Sequence, residues 1–208
     1  MSSISRSILV IILSLLPCAL WLWYFSTRSR YKRPPIKLII ITFLLGSAAT
    51  LAAYPISIFN QAFARVLLPD NFWTQALAMF LIVGPVEELA KLLAVRVYAY
   101  RRQEFDEPLD GVVYSTTAAL GFAAVENFIY FIQGSTMLVL LRGPFSNPGH
   151  ALFSSIWGLS LSRAKGSANI TSQRFWIVAR GWLIASFLHG FFDTLLIASE
   201  RVGISLFY

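Results

Sequence analysis

Six stretches of apolar residues, separated by short polar segments, divide the chain. They lie near residues 7–25, 36–59, 73–97, 111–133, 149–163 and 175–198. An α-helix needs about 20 predominantly apolar residues to cross a bilayer, and only the fifth stretch is clearly shorter than that. The pattern therefore predicts an all-α fold, a polytopic transmembrane helical bundle of about six spans.

The composition supports this prediction. Only 13% of the residues are charged, against about 25% in soluble domains, which indicates an integral membrane protein. The 208 residues leave no room for a separate soluble module, so we expect one domain over residues 1–208. The basic residues lie beside the apolar stretches, which favours contact with membrane lipid and argues against nucleic acid as a partner.

Lysine and arginine are concentrated in alternate loops between the apolar stretches. These loops are residues 28–37, residues 101–102 and residues 163–174. Because cytoplasmic loops carry the excess of basic residues, the pattern places these three loops in the cytoplasm and both termini outside.

Several ionisable residues lie inside the apolar stretches. A charge at the bilayer centre costs about 2.5–3.5 kcal/mol even on the mildest scale, so such residues usually face the bundle interior and serve function. They include both histidines of the chain. We therefore predict an active site buried within the bundle, with these candidates: Glu87, Glu88, Lys91, Glu126, His150, His189 and Asp193.

The third stretch carries two adjacent carboxylates. Lys91 follows Glu88 by three positions and Glu87 by four, so on a helix it can reach either one. One lysine cannot neutralise both, which leaves a spare carboxylate. Pro85 removes a helix hydrogen bond and favours a kink just before the pair.

The later stretches supply groups of the kind that bind metals. Asp193 follows His189 by one helical turn, where it can accept a hydrogen bond from one imidazole nitrogen and leave the other for a metal. Glu126 and Asn127 form a polar pair in an otherwise apolar segment. Counted from the cytoplasmic start of their predicted helices, Glu126 and His189 each lie about 21–22 Å along the helix axis. The two side chains therefore lie at a similar depth in the membrane. His150 begins the fifth stretch, and the set predicts a metal or proton-transfer site.

Four segments resemble successive sequence blocks of the PrsW family of bacterial intramembrane proteases, which is distantly related to the CAAX prenyl endopeptidases and to bacteriocin-processing proteases. The segments are "PVEELAKLL", "EFDEPLDGVVYSTTAALGFAAVENFIYF", "HALFSSIWGLSLSRAKG" and "FLHGFFDTLL". The resemblance is strongest over residues 80–198. It implies an intramembrane endopeptidase, with site residues matching Glu87 and Glu88, Glu126 and His189; the block that contains His150 also matches.

The chemistry of such an enzyme suggests roles for these residues. Glu126, His150 and His189 would bind Zn²⁺, with Asp193 and Asn127 behind the ligands, and an open position would hold the attacking water. Glu87 or Glu88 would be the general base, and Lys91 would hold the other carboxylate. The H-E-x-x-H and G-x-S-x-G motifs of other hydrolases are absent from the sequence.

Two alternatives stay open at this point. The first is a metal-independent glutamic protease in which two glutamates share a proton. The second is a proton- or cation-coupled membrane transporter, since intramembrane Glu, Asp and His also form proton relays.

The family resemblance also implies a substrate and a location. We expect a single-pass membrane-protein substrate, such as an anti-sigma factor cut in regulated proteolysis, and a multi-pass location in the bacterial inner membrane. The sequence indicates no oligomeric state.

Overall fold

A computed structural model describes residues 3–27, 33–133, 142–166 and 171–201, and all the regular structure in these ranges is helical. This confirms the predicted all-α bundle. The α-helices are α1 (Ser3–Thr27), α2 (Ile36–Leu67), α3 (Phe72–Ala78), α4 (Gly84–Val97), α5 (Asp110–Gln133), α6 (Ser146–Gly166) and α7 (Thr171–Arg201). A π-helical stretch, Met79–Val83, joins α3 to α4, and a 3₁₀ turn, Ala99–Arg101, follows α4.

Four helices of the described chain are long and apolar enough to cross a membrane: Ile8–Thr27, Ile36–Phe63, Asp110–Ile132 and Thr171–Ser199. They match the first, second, fourth and sixth predicted spans, so the protein is a multi-pass membrane protein. The third predicted span is the continuous run of α3, the π-helical stretch and α4, and the fifth is α6. The basic segment 28–32 lies outside the described residues.

Helix α5 occupies the centre of the bundle. In its most apolar window 78% of the residues are buried, against 17–33% in the other three spans. Helix α2 packs closely on it, because a Cβ at Gly46 or Gly121 would overlap backbone atoms of the opposite helix. Small residues allow such close approach between membrane helices. Large apolar residues of α1 and α2 that face away from α5 are exposed, as expected of a surface in lipid.

An apolar cluster closes the end of the bundle where α4 meets α5 through the loop 98–109. Its largest fully buried members are Val95, Phe105, Tyr114, Trp157 and Leu161, each at most 1% exposed. The polar candidates lie above this cluster, towards the end of the bundle formed by α3 and the second half of α2.

Candidate active site

Two glycine contacts bring the acidic pair of α4 opposite His189 of α7. A Cβ at Gly84 would overlap the carbonyl oxygen of Ser186, and a Cβ at Gly190 would lie 2.7 Å from the carbonyl oxygen of Met79. Helix α7 therefore packs backbone to backbone against the π-helical stretch and the start of α4. Pro85 lies in the first turn of α4, so the irregularity in this run is the π-helical stretch before it. Such stretches are frequent at functional sites.

Glu88 is fully buried and its carboxylate has four partners. Lys91 Nζ donates to Oε1 at 2.8 Å, and His189 Nδ1 lies 2.9 Å from the same oxygen. Ser154 Oγ and Trp157 Nε1 donate to Oε2 at 2.7 and 2.8 Å. With both oxygens occupied, this carboxylate is suited to holding other side chains in place, and Glu87 is the spare acid.

His189 has one ring nitrogen free for a further ligand. Because Nδ1 contacts a carboxylate oxygen, that nitrogen carries the proton and Nε2 presents its lone pair. Nε2 lies 3.6 Å from Glu87 Oε2 and 3.6 Å from Asp193 Oδ2, both beyond hydrogen-bonding distance. Glu88 thus makes the hydrogen bond that the sequence spacing assigned to Asp193.

His150 links the acidic pair to Glu126. Lys91 Nζ lies 2.9 Å from His150 Nδ1, and since an ammonium group can only donate, Nδ1 accepts. Nε2 then carries the proton towards Glu126 Oε2, 2.9 Å away. Lys91 also lies 3.8 Å from Glu87 Oε2. The two histidines are therefore joined through Lys91 and Glu88.

Arg142 is a member of the site that the sequence analysis missed. Its Nη2 lies 2.8 Å from Glu126 Oε2, and its Nε donates to Asn127 Oδ1 at 2.8 Å. Asn127 in turn donates to Asn147 Oδ1 at 3.0 Å. In the sequence, Arg142 is one of the few basic residues in a predicted outer loop, which is the pattern of a residue at the membrane surface.

A cavity of about 320 Å³ gives access to these groups. The site residues on its wall are Glu87, Glu126, Arg142, His150 and Asp193, and polar residues of α2 and α3 continue the wall away from them: Tyr54, Ser57, Gln61, Thr74 and Gln75. Glu87 Oε2 is buried and makes no hydrogen bond with any described residue. Glu87 therefore has a carboxylate oxygen that makes no hydrogen bond and lies beside two histidines.

Glu87, His150 and His189 fit a metal ion. One ligand atom from each lies within 4.8 Å of the other two, and no other group of His, Cys, Asp or Glu in the described ranges meets this condition. Ligands at about 2.0–2.2 Å from a tetrahedral zinc lie about 3.3–3.6 Å apart. The 3.6 Å between Glu87 Oε2 and His189 Nε2 agrees with that spacing. Glu126 contacts His150 from outside this group, so its predicted role as a ligand stays a prediction.

Comparisons with known proteins identify a family for the chain. The sequence model of the PrsW family of intramembrane metalloproteases matches residues 34–208. Protease PrsW of Geobacillus kaustophilus is 33% identical over 180 residues, which cover 86% of this chain and 76% of that protein. The Clostridioides difficile protein of the same name is 29% identical over 199 residues, 94% of this chain and 82% of its own.

Protease PrsW of Bacillus subtilis is 30% identical over 176 residues, which cover 84% of this chain and 77% of that protein. No solved structure matches the chain. The family match spans the acidic pair, Glu126 and both histidines, and of these Glu87, Glu126 and His150 line the cavity. The chain thus belongs to the PrsW family of intramembrane metalloproteases.

Proposed function

We propose that the protein hydrolyses a peptide bond of a single-pass membrane protein, in or next to the bilayer, using zinc bound by Glu87, His150 and His189. The observation that carries this proposal is the buried group of these three residues beside a polar cavity, with Glu87 Oε2 unpaired. Imidazole and carboxylate groups are the ligands of catalytic zinc sites, which keep one position open for water.

The surrounding residues hold the two histidines for this role. Glu88 accepts from His189 Nδ1 and so directs Nε2 towards Glu87. Lys91 contacts His150 Nδ1, so Nε2 is the nitrogen that would meet the ion, which would displace the proton that Nε2 holds towards Glu126. Zinc, when bound, polarises the scissile carbonyl and lowers the pKa of water.

Glu126 is placed to move protons. Its Oε2 lies 2.9 Å from His150 Nε2, on the wall of the cavity. In the proposed reaction the oxygen of water bonds to the carbonyl carbon while Glu126 takes a proton from that water. The C–N bond then breaks, and the nitrogen leaves with the proton held by Glu126. The products are a new carboxylate and a new amine.

This assignment exchanges the roles that the sequence suggested for Glu87 and Glu126, and the spacing to both histidines favours the exchange. The test compares Glu87→Gln and Glu126→Gln in purified protein, with metal content measured by mass spectrometry and cleavage measured separately. We expect Glu87→Gln to lose the metal. Glu126→Gln should keep stoichiometric metal but cleave at least 10²-fold more slowly. The opposite pattern would restore Glu126 as the ligand and Glu87 as the base.

Chelation separates this mechanism from a metal-independent glutamic protease. Protein stripped of metal should not cleave, and stoichiometric Zn²⁺ should restore the rate. Full activity without metal would favour a pair of glutamates that share a proton, and Glu87 and Glu126 would be the pair because both line the cavity. The family membership argues for proteolysis over cation transport.

The family and the fold support a substrate class and a location for the proposed reaction. Relatives named Protease PrsW come from bacteria such as Bacillus subtilis, and four helices can span a membrane, which supports the bacterial inner membrane. A single-pass protein, such as an anti-sigma factor, could reach the cavity from the lipid. A Glu126→Gln trap, crosslinked in native membranes, should capture such proteins; capture of soluble proteins alone would contradict this substrate class.

A further inference from the structure

Arg142 is a buried cation on the wall of the cavity, and the described chain leaves part of it unpaired. The residue is 6% exposed. Its Nη2 lies 2.8 Å from Glu126 Oε2, but the N–H bonds are not directed at that oxygen, and Nη2 makes no hydrogen bond with any described residue. A guanidinium group carries five N–H donors. The site therefore contains a charged donor with capacity to spare.

The guanidinium is held in a fixed position. Asn127 accepts from Nε, Asn147 fixes Asn127, and the guanidinium carbon lies 4.4 Å from the centre of the Tyr130 ring. The adjacent backbone is anchored too, since Trp21 donates to the carbonyl oxygen of Gly143 at 3.0 Å. Donors held rigidly before the reaction are the ones that stabilise developing charge, because they need not reorganise.

Arg142 is also close to the reacting groups. Glu126 Oε2 contacts both Arg142 Nη2 and His150 Nε2, so these two nitrogens are no more than two hydrogen-bond lengths apart. The same cavity is lined by Glu87, which presents an acceptor, and by Arg142, which presents donors. A peptide carbonyl offers an acceptor and no donor, and Arg142 is the one lysine or arginine among the described residues that line this cavity.

We propose that Arg142 donates to the carbonyl oxygen of the scissile peptide bond as water adds, and stabilises the negative charge that forms on that oxygen. This inference rests on the proposed hydrolytic function. As the water oxygen bonds to the carbonyl carbon, the electron pair of the C=O double bond moves to the oxygen. Two N–H groups of a guanidinium can both donate to that oxygen. The double bond re-forms when the C–N bond breaks.

A role limited to neutralising Glu126 makes different predictions. If Arg142 served only as a counter-ion, Arg142→Lys would keep the charge and the rate. A lysine lacks the planar pair of donors, so the proposal expects Arg142→Lys to cleave roughly 10-fold more slowly. For Arg142→Gln it expects a loss of about 10²–10³-fold in kcat, the magnitude found for removal of one oxyanion donor. KM should change little.

The experiment uses full-length protein in proteoliposomes and a single-pass transmembrane reporter that the wild-type protein cleaves, selected from a library of such segments. A phosphinic peptide of the same cleavage sequence mimics the tetrahedral intermediate. Its affinity should fall in Arg142→Gln by the same factor as kcat/KM. The uncleaved reporter should bind with equal affinity to the Glu126→Gln variant and to the double variant that also carries Arg142→Gln. Arg201→Met, an exposed arginine that does not line the cavity, is the matched control and should cleave normally.

The outcomes separate this inference from the function on which it rests. If wild-type protein cleaves no segment of the library and binds no metal, the proposed function fails. If wild-type protein cleaves, but Arg142→Gln retains its kcat or loses phosphinic and uncleaved peptides equally, Arg142 does not stabilise the charge that forms on the carbonyl oxygen. Arg142→Gln should bind as much metal as the wild type and still cleave slowly. That result would show that the loss of cleavage rate does not come from a damaged metal site.

Discussion

Replacing Gly190 by alanine tests whether backbone packing between α7 and the π-helical stretch positions the site. The added Cβ would lie 2.7 Å from Met79 O and 2.9 Å from Phe80 Cα, both backbone atoms. Ordinary contact begins at 3.4 Å, so one side must move by the difference between 3.4 and 2.7 Å, which is 0.7 Å. Since His189 is the preceding residue, that movement separates it from α4.

The size of the effect follows from this displacement. The 3.6 Å between His189 Nε2 and Glu87 Oε2 would lengthen to about 4.3 Å, beyond the roughly 3.3–3.6 Å that two ligands of one tetrahedral ion span. Sites must be held within about 0.5 Å, and a misplacement of about 1 Å can cost 10²-fold in rate. We therefore expect Gly190→Ala to cleave roughly 10- to 100-fold more slowly and to bind metal more weakly.

The assay measures initial cleavage of a transmembrane reporter in proteoliposomes, together with metal content and thermal unfolding in detergent. Alanine is about 1 kcal/mol better than glycine inside a helix, so poor helix formation cannot explain a loss. Gly166→Ala is the control, because nothing lies within 4 Å of a Cβ at that position. A Gly190→Ala protein that is folded, fully loaded with metal and as active as the wild type would refute this reasoning.

Three further experiments test the roles of the site residues and the topology. Glu88→Ala should destabilise the protein by about 3–5 kcal/mol, because it leaves four buried donors without their acceptor. Glu87→Ala, in contrast, should abolish cleavage in a protein that still folds. Equal stability of the two variants would contradict this. Asp193→Asn should weaken zinc binding in a chelator competition by less than Glu88→Gln does, because only Glu88 contacts His189 Nδ1; the reverse order would make Asp193 the orienting group. A cysteine at position 30 should react with a membrane-impermeant maleimide only after the cells are opened. The wild-type protein, in which Cys18 is fully buried, should not react and is the control. Labelling of position 30 in intact cells would reverse the topology.

The hydrophobic pattern predicted the bundle because the cost of polar groups in lipid constrains the sequence strongly. The same cost identified Glu87, Glu88, Glu126, His150 and His189, and the structure brings all five side chains together. The spacing on a helix let Lys91 reach either Glu87 or Glu88, and the structure pairs it with Glu88 at 2.8 Å. Local rules of this kind depend only on the chain itself.

The packing of one helix against another was harder to predict from the sequence. Counted as a regular helix from Trp73, Glu87 lies about 21 Å into the membrane, deeper than the other candidates, yet the structure places it beside both histidines. The π-helical stretch lies within the counted segment, and tilt is set by neighbouring helices. Ser154 and Trp157 looked like ordinary residues of an apolar helix, and only the packing of α6 against α4 makes them partners of Glu88.

The apolar cluster below the site has a consequence for the energetics of the cell. A water-filled cavity in a membrane lets protons pass part of the way across the bilayer. Lys91, Glu88 and the two histidines form a hydrogen-bonded chain of the kind that conducts protons. Beneath Glu88 the buried side chains of Trp157, Val95, Tyr114 and Phe105 fill the described part of the bundle between that chain and the opposite end. The enzyme can thus keep a hydrated site inside the bilayer without dissipating the transmembrane electrochemical gradient, and opening the cluster with a polar substitution at Val95 should make proteoliposomes leak protons.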